Sequence, residues 1–306
     1  MNQNALGDRH NFGEAVHFVA EGSVVRKSRS PYWEKSFLTE SVFRKKVDGF
    51  FSSRNYVSPL AFIPILRFDV NRDYYDVEYV DGGPIVISDE YLTSVGSFVF
   101  LCTWLGLTDL HYKNISLGSC DGVPQMVPWD IEIVAANVIL PSQTNLISKS
   151  SQLNKTSGLF PLREFILDNQ KYKDLLLTGF KNAYLVIREN GGVIWDQLFS
   201  TELGLNSPIR VVLNDTAIYE KAINTSARDG FCKDEIEQLK QGFIPYFYTT
   251  LSSKKVFKYG DSGPCESQIS LDDVDQGLRS LPPSVDDLNK LYHFGLEQFG
   301  KWLNHT

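Results

Sequence analysis

Histidine, cysteine and methionine are scarce in this chain: five, four and two among 306 residues. Cys102, Cys120, Cys232 and Cys265 lie far apart with no C-x-x-C pair, which excludes a disulfide frame and a Cys-His zinc site. They read as buried thiols of a reducing compartment. A basic excess is missing as well. The 30 Lys and Arg against 37 Asp and Glu leave a formal charge of −7, and a general nucleic-acid binder needs a basic face. No run is both long enough and apolar enough to span a membrane. Tyr91–Thr108 is uncharged, but it holds Thr93, Ser94, Gly96, Ser97 and Thr103 and leads into Asp109–His111, so it reads as a buried helix. Met1–Arg9 carries Asp8 and Arg9 and no apolar export segment, so the expected location is cytoplasmic. With 42% apolar and 22% charged residues, the chain falls in the ordinary globular range.

Patterning divides the chain unevenly. Ala15–Val19 and Val24–Lys27 flank a Glu21-Gly22 turn and predict a β-hairpin. Ser30-Pro31 is a helix-start signal, and apolar residues recur at helical spacing over Tyr32–Phe51. Strand-like patterns follow over Leu60–Leu66 and Tyr74–Val80, ended by Asp81-Gly82-Gly83-Pro84. The long apolar helix spans 90–107, and a polar loop and a short strand pair around 115–117 and 125–133 follow it. The remainder predicts helices over 161–189, 193–204, 215–224, 233–241 and 285–303, with 142–158 a mobile loop. The expected class is α+β: a small β-rich N-terminal part, 1–81, before a larger, mostly helical part, 82–306.

The chemistry centres on Thr108-Asp109-Leu110-His111-Tyr112-Lys113-Asn114, followed by Pro128-Trp129-Asp130-Ile131-Glu132. Phosphoryl transfer needs one Asp to accept the proton of the attacking hydroxyl, and an Asn with a second acid to hold Mg²⁺ on the phosphates. An Asp five residues before an Asn, with another Asp after a short hairpin, has that layout. Upstream lie Lys27 at the end of a hairpin strand, to neutralise nucleotide phosphates, and Glu34 or Glu40 in the next helix, to orient its ammonium. A solvated lysine and a capped turn are the bland readings of these residues taken singly. Five parts in kinase order make them poor together. Gly7-Asp8-Arg9-His10-Asn11-Phe12-Gly13 sits where a phosphate-covering loop belongs, and its Asp and His need another explanation, either a capping turn or a second catalytic task near the phosphates.

The order G-D-x-H-x-x-G, K-x-R-S, D-x-H-x-x-N-I and D-x-E resembles the dehydratase domain of class II (LanM-type) lanthipeptide synthetases. Further matches are Glu78-Tyr79-Val80, Thr156–Pro161, Gly179-Phe180, Arg210 with Thr216 and Tyr219, and Gly242–Phe247, so the resemblance runs from about residue 7 to 250. It implies a lipid-kinase-like bilobal core, with N-lobe 1–81 and C-lobe 82–306. The implied activity uses ATP and Mg²⁺ to phosphorylate Ser and Thr of a precursor peptide, then eliminates the phosphate. Carried over, Lys27, Arg29 and Glu34 serve ATP, Asp109 is the kinase base and His111 supports its loop. Asn114 and Asp130 hold Mg²⁺ with Glu132 assisting, and Asp8, His10, Arg210 and Thr216 serve the elimination.

Departures from the family pattern are also legible. Ser28 stands where Pro is usual, Trp129–Ile133 replaces a hydrophobic-Asp-Leu-Glu-Thr run, and Asn214-Asp215 precedes Thr216 where a second Arg is common. Neither a zinc cyclase nor a substrate-binding region ahead of Gly7 is matched, so a separate substrate-delivery or cyclase protein is an expected partner. A kinase that stops at the phosphate and an inactive nucleotide-binding scaffold are the alternatives. Elsewhere, Arg44-Lys45-Lys46 reads as a solvated helix face, Tyr246-Phe247-Tyr248 as core packing, and Asp286-Asp287 as helix-start acids.

Overall fold

The computed structural model describes residues 16–19, 23–80, 82–149, 155–253, 255–260, 263–274 and 277–304. The fold is α+β with small antiparallel sheets, and the chain forms two compact units. One comprises the described residues up to Tyr32, Leu66–Val80 and Glu202–Gly277; the other those of Trp33–Ile65, Asp81–Thr201 and Leu278–Thr306.

In the first unit β1 (His17–Val19) and β2 (Val24–Lys27) form the expected hairpin, Ala20–Gly22 lying outside the described residues. The next elements in the chain, α1 (Tyr32–Leu38) and α2 (Val42–Ser52), belong almost wholly to the second unit. Strands β3 (Phe68–Val70) and β4 (Tyr75–Glu78) complete a sheet of order β1-β2-β4-β3. Period-two alternation buries Val25 and Lys27 of β2 and leaves Arg26 on the other face. Arg26 sits opposite Asp76 in register and holds it through two bonds of 2.7 Å, with its guanidinium 3.9 Å from the Tyr74 ring centre.

Tyr32–Phe51 is thus two helices instead of the single one expected. Ser41 divides them: its Oγ accepts from the Arg44 N–H at 3.0 Å, as an N-cap does, and donates to Ser36 O at 2.6 Å. Arg44, expected on a solvated face, is buried. Its guanidinium donates to Phe37 O, Leu60 O and Ile63 O at 2.9, 2.8 and 2.5 Å, while Lys45 and Lys46 stay exposed. Residues 60–63 form a turn whose Leu60 and Ile63 carbonyls accept from Arg44, and 64–66 take no regular structure, so this apolar run is no strand.

The second unit is organised by α3 (Asp89–Leu105), every residue of which from Tyr91 onward is buried. The strand pair β5 (Ile115–Cys120) and β6 (Val123–Pro128) follows it, then α4 (Phe160–Ile166) and α5 (Gln170–Phe199). Helices α3 and α5 cross at backbone distance: a Cβ on Gly96 would lie 1.9 Å from Leu176 O, and one on Gly179 1.9 Å from Thr93 O. Ser97 Oγ seals the crossing on Gly179 O at 2.9 Å. Further along, Phe100 meets Phe180 edge-on at 4.9 Å and Trp104 meets Trp195 at 5.7 Å. α5 runs unbroken through Gly191-Gly192, where the sequence predicts an interruption. Of the presumed mobile loop 142–158, the described residues Ser142, Thr144, Leu146, Ile147, Ser148 and Ser157 are buried.

From residue 202 the chain is less helical than expected. Helices α6 (Glu202–Asn206), α7 (Thr216–Thr225) and α8 (Lys233–Lys240) accompany a second sheet that periodicity missed. Its strands are β7 (Ile209–Val211), β8 (Phe247–Thr249), β9 (Phe257–Gly260) and β10 (Gly263–Glu266), in order β10-β9-β8-β7. They are three or four residues long, as in the first sheet, but no alternating run of the sequence marked them. Val211, Phe247, Val256 and Val274 form its core. The last helix, α9 (Val285–Asn304), belongs to the second unit and bears Asp286 and Asp287 in its first turn, as expected. Of the cysteines only Cys102 is buried; Cys120, Cys232 and Cys265 are exposed, against expectation. No described helix is long and apolar enough to cross a membrane.

Candidate functional site

The catalytic-loop candidates begin where α3 stops. Gly106, at φ +67°, turns its N–H onto Cys102 O and Thr103 O, and a Cβ there would lie 2.2 Å from Ala136 O. Main-chain bonds then tie the loop to three separate segments. Thr108 N donates to Ile133 O (3.2 Å), Leu110 N to Thr144 O (2.9 Å) and Tyr112 N to Thr156 O (3.0 Å). Gly158 lies so close under the loop that a Cβ would be 2.3 Å from Leu110 O.

Asn114 is the hub. Its N–H donates to His111 O at 2.8 Å and its carbonyl accepts from Trp129 N at 2.8 Å. Its Nδ2 donates to Asp109 O at 2.8 Å and lies 3.4 Å from Asp109 Oδ2. The amide oxygen is thereby turned away from Asp109. His111 Nδ1 accepts from Lys113 N at 3.1 Å, so a neutral ring carries its hydrogen on Nε2, which lies 3.5 Å from Asp109 Oδ1. Ladder pairing ends at Ile115 opposite Pro128, and Trp129 anchors the next turn through Nε1 to Ser116 Oγ at 2.9 Å.

Two of these acids have unusual backbones. Asp109 and Asp130 adopt φ +65° and +64°, a region that few residues other than Gly, Asn and Asp tolerate. The Asp130 N–H donates to Glu34 Oε1 at 3.1 Å. Glu34 is 1% exposed, whereas Glu40, its rival in the sequence, is exposed and pairs with Lys45 at 3.2 Å. The fold thus brings Asp109, His111, Asn114, Asp130 and Glu34 into one bonded set. Glu132, two residues beyond Asp130, is buried. Below them Arg279 supports the segment 133–138: its N–H donates to Ala135 O (2.7 Å), and its guanidinium donates to Trp104 O (3.1 Å) and to Val138 O. Burial pushes its guanidinium pKa down. Nothing in the sequence near Arg279 signalled this.

Among the described residues no group of three or more His, Cys, Asp and Glu forms a metal cage. Mg²⁺ in phosphotransfer sites is held by one or two protein oxygens together with substrate phosphates, so a cage is not required. The donor set here fits that mode: hard oxygens only, with Asn114 Oδ1 left for a cation because Nδ2 is engaged by Asp109.

The remaining candidates belong to the other unit. Lys27 is 3% exposed in β2, between β1 and β4; Arg29, just beyond the strand, is half-buried. Arg210 lies in the middle of β7 opposite Tyr248, its guanidinium 5.6 Å from the ring centre of the buried Tyr246. Burial pushes the Tyr248 hydroxyl up to about 12. Thr216 opens α7 behind Asp215, whose Oδ1 accepts from Ala217 N at 2.8 Å. The turn before it is anchored by Glu235, a residue the sequence reading passed over. Glu235 is 3% exposed; its Oε1 accepts from Asn214 Nδ2 (2.8 Å) and Tyr219 OH (2.6 Å), and its Oε2 from Cys232 N (2.7 Å). Asp8 and His10 lie outside the described residues. Neither a known-family profile nor a curated protein sequence matches the chain.

Proposed function

We propose that the protein is a kinase-like, bilobal peptide Ser/Thr dehydratase that uses ATP and Mg²⁺ for phosphorylation followed by elimination. The observation that carries this reading is the Asn114 hub. It joins the loop of Asp109 to the turn of Asp130, and both acids stand in the left-handed conformation. Backbone strain of this kind costs on the order of 1–3 kcal/mol per residue and persists where the surroundings impose it, most often at functional sites.

In the first half-reaction a substrate hydroxyl oxygen bonds to the γ-phosphorus of ATP as the bond to ADP breaks. Asp109 accepts the hydroxyl proton, and His111 and Asn114 hold its carboxylate in place. Asn114, Asp130 and Glu132 would bind Mg²⁺, which when present neutralises phosphate charge. Lys27, with Arg29 beside it, serves the nucleotide phosphates. In the second half-reaction the α-proton leaves to a base and the bond from Cβ to the phosphate oxygen breaks, giving dehydroalanine or dehydrobutyrine. Arg210 receives the departing phosphate, with Thr216, Asp8 and His10 as the further participants that the family resemblance implies. The reaction draws on ATP, which the cytoplasm supplies.

One observation favours the neighbouring reading, a kinase that leaves its phosphate in place. Asn214-Asp215 stands before Thr216 where the family commonly carries a second Arg, and the Asn214 amide is committed to Glu235. Mass spectrometry of a Ser/Thr-rich peptide incubated with ATP and Mg²⁺ decides. Loss of 18 Da per site, the mass of water, supports the dehydratase; retained phosphate supports the kinase; and turnover unchanged in Asp109→Asn defeats both.

A further inference from the structure

The order of the residues along the chain gives Glu34, or Glu40, one task, to orient the ammonium of Lys27 with its charge. The geometry points to another. Asp130 falls just past the last ladder pair, Ile115 with Pro128, so its N–H has no place in the β5–β6 ladder and must find another acceptor. That acceptor is Glu34 Oε1, 3.1 Å away and delivered from α1, 96 residues earlier in the chain. α1 is itself fixed by packing: Trp33 meets Phe199 at 5.6 Å and Phe37 meets Phe43 at 5.1 Å. A side-chain oxygen that accepts this part-buried N–H satisfies it where the ladder does not. It restrains the peptide whose rotation sets Asp130 at φ +64°. The preceding peptide is tied by Trp129 N to Asn114 O.

We propose that Glu34 is a positioning residue for Asp130, acting by hydrogen-bond acceptance and reach, with its charge secondary. That Asp130 is a metal acid rests on the functional reading above. The positioning of its peptide does not.

The two roles separate through two conservative substitutions. Glu34→Gln keeps the length and a carbonyl acceptor but removes the charge. Glu34→Asp keeps the charge but withdraws it by one methylene. The first measurement is NMR-detected exchange of the Asp130 amide in the full chain without ligand, with amides of α3 as the check on folding. The second is Mn²⁺ affinity by electron paramagnetic resonance in the presence of a non-hydrolysable ATP analogue. Positioning predicts that Glu34→Gln retains Asp130 protection and Mn²⁺ affinity within about twofold, whereas Glu34→Asp loses roughly tenfold or more in both, about 1.4 kcal/mol. The reverse order, or an Asp130 amide indifferent to both changes, overturns the proposal. If protection follows the acceptor while even the unmodified chain takes up no Mn²⁺, the metal reading of Asp130 fails and the positioning stands.

Discussion

Between Thr108 and Glu132 the functional side chains are placed mostly by main-chain bonds. Thr108, Leu110, Tyr112, Asn114 and Trp129 all donate backbone N–H groups, and two aspartates take left-handed φ values to reach their positions. Between Arg210 and Ser267 the arrangement is inverted. There the turn before Thr216 is held by the carboxylate of Glu235, and the start of α8 by that of Asp234. Asp234 accepts from Ser267 Oγ (2.5 Å), Gln268 N (2.9 Å) and Lys258 Nζ (2.9 Å). The first region is held chiefly by main-chain bonds, with Asn114, Trp129 and Glu34 as its side-chain anchors. The second depends on two buried acids, whose removal would strand several donors at once. Substitutions and pH should therefore act differently on the two.

The largest expected effect is on chemistry in the first region. Asp109→Asn leaves the left-handed backbone comfortable and the fold intact, since Asn tolerates that region as well as Asp does. Phosphate transfer should fall by about 10²–10⁴-fold, the usual contribution of a positioned base. Asp109→Ala should match it in rate but also lose about 1 kcal/mol of stability to the strained φ. Urea unfolding of the two variants, beside a stopped ATP assay, measures both. Equal stability would mean that the backbone at Asp109 is less constrained than its bonds imply.

Next come the close approaches. Gly179→Ala drives a methyl into Thr93 O and should cost about 3 kcal/mol of unfolding free energy, because neither helix can withdraw. Gly158→Ala meets Leu110 O at a loop, which can yield. We expect a smaller loss of stability, about 1–2 kcal/mol, with at least a tenfold loss of phosphate transfer as the Asp109 loop is pushed away. If Gly158→Ala unfolds the protein as strongly as Gly179→Ala, the loop belongs to the core and the distinction collapses.

In the second region Glu235→Ala strands Tyr219 OH, Asn214 Nδ2 and Cys232 N together. A loss of about 2–3 kcal/mol is expected by thermal unfolding. Burial and the Glu235 carboxylate together push the Tyr219 hydroxyl pKa up, so in the wild type it stays a donor throughout the neutral range. On the proposed function, the same variant should phosphorylate peptide while losing elimination, because the turn bearing Thr216 is released and the Asn114 hub is untouched. A parallel fall in both half-reactions would show that Glu235 stabilises the whole chain and positions nothing in particular.

The same contrast governs what could be read from the chain. That Asp109, His111, Asn114 and Asp130 lie together was legible because one loop and its hairpin join them, Asn114 bonding to both Asp109 and Trp129. The buried α3 was legible from its uncharged run. Glu34 and Glu40 were indistinguishable, since both suit a helix face and only packing of Trp33 and Phe37 selects the first. Glu235 was hidden because its partners Asn214 and Tyr219 lie 21 and 16 residues upstream, across a loop. Arg44 was misread because three consecutive basic residues look like a solvated stripe, and nothing local tells that the turn at 60–63 supplies two carbonyls. The second sheet was invisible for a simpler reason. Its strands are as short as those of the first sheet, but none carries a pair of alternating runs about a turn like Glu21-Gly22.

The smallest expected effect is the acid limb of stability in the second region. Burial alone would raise the Asp234 carboxyl, but the bonds from Ser267, Lys258 and Gln268 outweigh it and hold it below its ordinary value of 3.8. A carboxyl whose folded pKa is depressed stabilises fully above its unfolded pKa, and that contribution disappears as pH falls through the folded value. Asp234→Asn should therefore cost about 1–2 kcal/mol near neutrality and progressively less below about pH 4, where the wild type loses the same contribution. Arg26–Asp76 has the same sign, since Arg26 depresses the Asp76 carboxyl, but its guanidinium is about a third exposed at 32% and solvent screens it. Asp76→Asn should shift the same limb by less than about 1 kcal/mol. Unfolding curves of the two variants from pH 7 to pH 3 would rank them. If Asp76→Asn proved the costlier, the rigidity of this unit would reside in its first sheet, and Asp234 and Glu235 would be satisfied groups rather than anchors.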